Sequence, residues 1–481
     1  MSSADVTNKH DGVLEEEETR PKRLPKILGV GAGVVALIAS ITVPFMTDQP
    51  GLWALIPIVT YAVLVLVGFN ILLSTAFSSL LAITMAQLTI PEIGTLLTEP
   101  LGSFIATIGL IIMLGAGLGA VARETGAASA LVQGLVNRIG VDTPGKVQLG
   151  IMLSSTVLVG ALGTLAGANA ILAPIIIPIA ARVKWSRPAV AAMIHTAGAA
   201  GLMIGPFTPA VVTVMGASDL TYFEYLYSAG LPMAVTTFVV GFFSSRWVQK
   251  RTQHSDPYST EDMGDVTRAI MNPAAKKHAT AAALAFVASI LLMTILGIAI
   301  KAGYTYAILV MIVSALLTAL LGRMNAELAI NTFTKGAASL IWLFFLFWLF
   351  NPLLVLVEES GAYDALLSML NPTLQSAGPW LFLVLSLLLG WLAVPGAAVA
   401  QVTLIDKLLW PLATSLGVPP TAWAASLLGG SQIDWFGPLP NGDMIGQMGL
   451  ARSTNLKMML FNGWFVLAAN IVVLCIMFAI L

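Results

Sequence analysis

Between Ser426 and Gly446, an otherwise apolar stretch carries Gln432, Asp434, Asn441 and Asp443 around a Gly437-Pro438 pair and a second proline, Pro440. A carboxylate at membrane depth costs roughly 2.5–3.5 kcal/mol even on insertion scales, so by default it marks an ion pathway or relay. Asp434 and Asp443 are therefore candidate sites for a coupling proton or sodium ion. Pro438 and Pro440, with Pro206 and Pro209 far upstream, each remove a backbone donor and release carbonyls. Freed carbonyls and half-helix carboxyl ends coordinate cations, whereas half-helix amino ends favour anions such as a carboxylate. A sodium ion would sit at Asp434 with the freed backbone at Gly205 and Gly437. The bland alternative makes Asp434 a structural partner of Arg452, and places Asp443 near the membrane edge.

Further polar groups stand where the chain makes a poor helix centre. Gly160–Asn169 includes Gly163, Thr164 and Asn169, and Ala393–Gln401 includes Pro395 and Gly396, with Thr403 just beyond. With Thr208, Gln432 and Asn441 these residues could converge on a small solute; each could equally bond a neighbouring backbone group. His195 reads as a satisfied core histidine or as a proton relay. Asp406 and Lys407 read as a mutual pair, or Lys407 snorkels to the interface. Glu124 and Glu359, each two residues before a glycine, read as helix ends.

The elements that must position these groups are membrane spans. Of 481 residues, 57% are hydrophobic and 10% charged, against about 25% charged in soluble domains. A net charge of −1 offers no basic surface to neutralise phosphates, which argues against a nucleic-acid partner. A single cysteine, Cys475, excludes disulfides within the chain and a thiolate metal site. The zincin, α/β-hydrolase and P-loop signatures are missing. No cofactor is called for beyond a coupling proton or sodium ion, and the chain reads as a transporter rather than an enzyme. Apolar runs predict spans near 27–46, 51–69, 72–90, 101–121, 226–244, 279–300, 304–321, 337–357 and 459–481. Basic residues in the tail 1–26 and in the loop 246–277 put both in the cytoplasm. The carboxyl terminus then falls outside, in an inner (plasma) membrane.

The chain also repeats at an offset of about 233. Val121–Ala127 meets Leu356–Ala362, Gly205-Pro206 meets Gly437-Pro438, and Met215–Gly230 meets Met448–Gly463 without a gap. Arg123, Arg138, Lys146, Arg182, Lys184 and Arg187 in the first copy face only Lys407 in the second, while Asp219 and Glu224 align with Arg452 and Lys457. That charge reversal predicts inverted copies, the architecture of secondary transporters. The expected organisation is an extra helix at 27–50, a first repeat at 51–245 with a re-entrant hairpin at about 147–181, and a second at 278–481 with a hairpin at about 378–412. The fold class is all-α polytopic, with about eleven transmembrane helices and two re-entrant hairpins, divided between a scaffold and a transport domain.

Gly115–Gly119 followed by Arg123-Glu124-Thr125-Gly126-Ala127 resembles the first-repeat pattern of gluconate:proton symporters. Ser431–Asn441 resembles the broken second-repeat helix of NhaC-type sodium/proton antiporters, both within the ion transporter superfamily. The layout is similar to the dicarboxylate/sodium symporter branch, but that branch's Ser-Asn-Thr tips are replaced by Gly163-Thr164 and Gly396-Ala397. Its dicarboxylate site therefore does not carry over residue by residue. The resemblance implies a homodimer with an elevator-like transport domain. The expected function is proton- or sodium-coupled symport of a small organic anion. A sodium/proton antiporter is the alternative, and a channel or membrane-embedded enzyme comes third. The lack of a buried arginine clamp points away from multiply charged substrates, though helix dipoles can substitute for one.

Overall fold

A computed structural model describes residues 23–47, 50–259, 262, 278–300, 302, 304–393, 398–437 and 440–480. The described chain is helical, apart from one isolated bridge between Ser186 and Pro257. The first elements are α1 (Arg23–Met46), a 3-10 turn Gly51–Leu55 running into α2 (Ile56–Leu66), α3 (Ile71–Met85), α4 (Ile90–Thr98) and α5 (Phe104–Glu124). Next come α6 (Ala127–Ile139), α7 (Pro144–Leu162), α8 (Leu165–Arg182), α9 (Arg187–Ile204), α10 (Pro209–Ser218), the single turn α11 (Tyr222–Tyr225) and α12 (Leu231–Thr252). The remainder is α13 (Ala279–Ala299), α14 (Tyr306–Leu321), α15 (Ala326–Ala338), α16 (Ile341–Glu359), α17 (Ala362–Ala393, kinked at Gly378), α18 (Ala398–Ser415), α19 (Pro420–Ser431), α20 (Ile433–Phe436), α21 (Gly442–Leu450) and α22 (Leu456–Ile480).

Among the described residues, nine segments are long and apolar enough to cross a membrane. Their outer faces suit lipid: on α1 and α13, Phe45, Val35, Leu284 and Leu292 are all exposed. The protein is an all-α polytopic membrane protein. Two expected spans are shorter than drawn. The run at 72–90 ends at Met85, and α4 starts separately on a Thr89–Glu92 capping box, in which Thr89 N donates to Glu92 Oε2 at 2.7 Å. The run at 337–357 is cut by the turn between α15 and α16, so its helix is Ile341–Glu359. Apolar periodicity marks the stretch but not the cap within it.

Helix starts and stops follow local chemistry. Thr143, Thr208 and Asn441 cap α7, α10 and α21, each accepting from a backbone N–H three residues on. Glu124 and Glu359 are the last residues of α5 and α16, each followed by a left-handed glycine, Gly126 or Gly361. Left-handed backbone recurs at matching places along the chain: Gln87 and Arg323, Gly126 and Gly361, Gly140 and Gly378, Lys184 and Gly417, Asp219 and Arg452. Each pair lies 233–238 positions apart, and the order of elements from α2 to α12 recurs from α13 to α22.

Buried residues form two cores. One gathers α1–α5, α14 and α16, with residues of α10, α17 and α18, around Tyr61, Ile108, Phe347 and Phe350. The larger gathers α6–α12 and α17–α22, with residues of α5, α13 and α14, around α9, whose residues from Pro188 to Met203 are all buried. That run is rich in alanine and glycine, and small residues let helix backbones approach closely, which is how helices associate without a hydrophobic drive. At Gly201 an added methyl would run into the Thr156 carbonyl of α7.

Candidate functional site

The first hairpin is α7 and α8, turned at Gly163 (φ 71°) and Thr164. Ser155 and Asn169, on opposite arms, meet across the hairpin: Ser155 Oγ donates to Asn169 Oδ1 at 2.8 Å. The tip docks against the break between α9 and α10. A methyl built on Gly163 would lie 3.6 Å from the Phe207 carbonyl oxygen and 3.8 Å from Thr208 Cα, and one on Gly205 would strike the Gly160 carbonyl. Thr208 holds the break together: its hydroxyl donates to Leu202 O at 2.6 Å and accepts from Val211 N, capping α10. The amino ends of α8 and α10 thus open at one place. Thr164 is half-buried and makes no side-chain cap to α8.

The second set mirrors this locally. Asn441 caps α21, accepting from Met444 N at 2.8 Å and donating to Trp435 O at 3.2 Å. It stands 233 positions after Thr208 and does the same work. Gln401, on the returning arm, donates to Gly390 O of the outgoing arm and to Gly430 O of α19. Asn169 does likewise, donating to Ile194 O of α9 at 3.0 Å. Both amides, expected at a solute site, spend donors on backbone carbonyls, and Thr403 bonds Val399 O inside its own helix. Gly396, Pro438 and Leu439 lie outside the described residues.

Buried amides join the two sets. Asn169 Nδ2 also donates to Gln447 Oε1 of α21 at 2.8 Å. Asn470 of α22 donates to Gln432 Oε1 at 2.7 Å and to Thr237 Oγ1 of α12 at 2.9 Å, and Ser244 Oγ donates to Asn462 Oδ1. Among the described residues, Gln432 Nε2, Gln447 Nε2 and Asn462 Nδ2 have no partner. His195, fully buried, sits edge-on to Phe436 with ring centroids 5.2 Å apart. Its ring reaches toward the Trp435 carbonyl, without a well-aligned bond to either nitrogen.

Asp434 is buried in the first turn of α20, within electrostatic range of Tyr61 of α2. Asp443 is half-buried in the first turn of α21, with no hydrogen bond or ion pair to a described residue. Gly205 and Gly437 are the carboxyl caps of α9 and α20. Arg452 pairs with Asp262. Lys407 pairs with Glu358 of α16 at 3.3 Å, while Asp406 accepts from Trp423 Nε1 at 2.8 Å. Sequence reasoning missed Ser155, Gln447, Asn462, Asn470 and Asp262. The amides of α21 and α22 among mostly apolar neighbours were the available signal.

Comparison with known proteins places the chain. The crystal structure of the Alcanivorax borkumensis YdaH transporter, described as having an unusual topology, is similar, with a TM-score of 0.58. The likeness covers 94% of this chain and 97% of that one at 16% identity, so it speaks to the fold alone. A search of curated proteins gave no match. The model of the DcuC family matches residues 84–478. This family is neither of the two whose motifs the sequence resembles. Its described substrate is doubly charged, the kind of solute that the missing arginine clamp argued against. With its breaks, hairpin and helical core inside the matched region, the chain belongs to the DcuC family of C4-dicarboxylate anaerobic carriers.

Proposed function

We propose that the chain is an ion-coupled secondary transporter that carries a C4-dicarboxylate across the inner membrane by alternating access. The observation that carries this reading is the junction of tip and break. The amino ends of α8 and α10 meet where Gly163 touches Phe207 and Thr208. The amino end of α8 is left without a side-chain cap, α10 adds its own amino end, and each carries roughly half a unit of positive charge, so the pair can hold a carboxylate with no arginine. The Asn441-capped end of α21 supplies the corresponding feature in the second set. Thr164, Thr208 and Asn441 border these ends, and a dicarboxylate would span from one to the other.

An inverted duplication supports the same reading. Thr237 and Asn470 are 233 positions apart and hydrogen-bonded to each other. A residue touches its own symmetry mate only beside a two-fold axis. Ser244 meets Asn462 about two turns away, later in α12 and earlier in α22, so the two helices run antiparallel there. The start of α9 likewise meets the end of α21, not the start of α19. The first hairpin reads as re-entrant because α10 continues for ten residues beyond the depth of its tip, about 15 Å of helix. Asp434, Asp443 and His195 are the coupling-ion residues of this reading, with a proton or sodium ion as the ion and a homodimer as the assembly.

Proteoliposomes test it. Uptake of labelled succinate, driven by a proton or sodium gradient and showing counterflow, is the expected result. Sodium-dependent proton flux with no organic acid required, and no dicarboxylate counterflow, would establish the antiporter instead.

A further inference from the structure

At one end of the molecule, the segment that follows α12 folds back over the large core. Ser186 bridges to Pro257, Arg187 N donates to Asp256 O at 3.1 Å, and Tyr258 OH donates to Ala451 O at 3.0 Å. Asp262, the next described residue after Ser259, has a side chain that is 4% exposed. One carboxylate oxygen accepts from Ser259 N at 2.8 Å, Ser259 Oγ at 3.0 Å and Arg187 Nη2 at 3.2 Å. The other accepts from Arg452 Nη1. Arg187 is the first residue of α9, which leads to the first break. Arg452 lies two residues beyond α21, which begins at the second break. One buried carboxylate therefore joins the two broken helices at their shared end.

Exposed ion pairs contribute little, because water screens them and two long side chains must be ordered. This arrangement differs: the acceptor is buried and takes four charge-assisted or backbone donors, so removing its charge strips Arg452 of this partner and leaves Arg187 with Asp256 at 3.9 Å. Asp262 touches none of the candidate solute or ion residues. Its effect on transport must pass through the placement of α9 against α21.

We propose that Asp262 is a positioning residue for transport, fastening the start of α9 to the end of α21 so that the two breaks stay opposed and move as one body. The kinetic consequence rests on the transport reading above; the mechanical one does not.

The test uses the full chain in a Cys475→Ser background, with spin labels at the exposed Lys184 and Thr454, which flank the two arginines. The expected result is a narrow spin–spin distance distribution in the parent that broadens in Asp262→Asn and narrows again in Asp262→Glu. Dicarboxylate counterflow should fall about tenfold in maximal rate in Asp262→Asn, with KM within about twofold, because orientation is lost rather than a ligand contact. An unchanged distance distribution in a monodisperse Asp262→Asn chain overturns the proposal. If that variant aggregates, Arg452→Gln, which keeps the Arg187 arm, decides: broadening supports the fastening and an unchanged distribution overturns it. A parent that carries no dicarboxylate at all would refute the transport reading and leave the distance measurement intact.

Discussion

Replacing Asn169 by alanine separates a structural bridge from a solute ligand. Asn169 is fully buried and makes three bonds: from Ser155 Oγ at 2.8 Å, to Ile194 O at 3.0 Å and to Gln447 Oε1 at 2.8 Å. Ser155 keeps a second acceptor, Ile194 O at 3.1 Å, so that side of the network survives. Gln447 does not fare so well, because its Nε2 already lacks a partner and its carboxamide would be left with none. Orphaning a buried polar group costs about 1–3 kcal/mol, and the void left by the missing carboxamide adds to this. The expected loss is about 2–4 kcal/mol. Interhelical hydrogen bonds in membranes give coupling energies averaging about 0.6 and reaching about 1.7 kcal/mol. A double-mutant cycle with Gln447→Ala, followed by reversible unfolding in mixed micelles, should fall in the upper part of that range. Additivity within about 0.3–0.5 kcal/mol, together with a raised transport KM and an unchanged melting temperature, would refute the bridge and make Asn169 a solute ligand.

Other perturbations test separate parts of the argument. Gly205→Ala would drive a methyl into the Gly160 carbonyl and Thr208 Cγ2. Uptake should be lost with about 1–3 kcal/mol of destabilisation, whereas Gly94→Ala, with nothing near it, should leave both unchanged. Asp434→Asn should abolish the dependence of dicarboxylate uptake on the ion gradient while the melting temperature without ligand is retained; preserved ion dependence would remove Asp434 from the coupling role. Burial works against the charge of Asp262, but the Ser259 backbone and hydroxyl, Arg187 and Arg452 outweigh it and hold the carboxyl below its usual range. The stability it contributes is therefore complete above about pH 4 and lost only as pH falls through the lower folded-state value. The melting difference between the parent and Asp262→Asn should stay constant from pH 8 to 5 and shrink below about pH 4; shrinkage already between pH 7 and 5 would contradict the donors assigned to it.

What the amino-acid sequence determined by itself is what depends on neighbours along the chain. Apolar run length makes the protein polytopic, the Gly-Pro pairs locate the breaks at Gly205 and Gly437, and Gly126 and Gly361 end helices after Glu124 and Glu359. The spacing of these signals also carried the recurrence near 233, because a left-handed position or a cap needs the same residue types wherever it recurs. The tertiary structure alone decided the partners. Asn169 to Gln447 and Thr237 to Asn470 join residues more than two hundred positions apart. Which amide meets which depends on how closely glycine- and alanine-rich helices approach, and no local pattern encodes that distance. Asp262 was hidden for the opposite reason: in a polar loop every charge reads as solvated, and only the fold buries this one between two arginines. Without an arginine clamp, positive charge for an anion has to come from the backbone. Converging helix amino ends carry positive charge that appears only once α8 and α10 are brought to the same point.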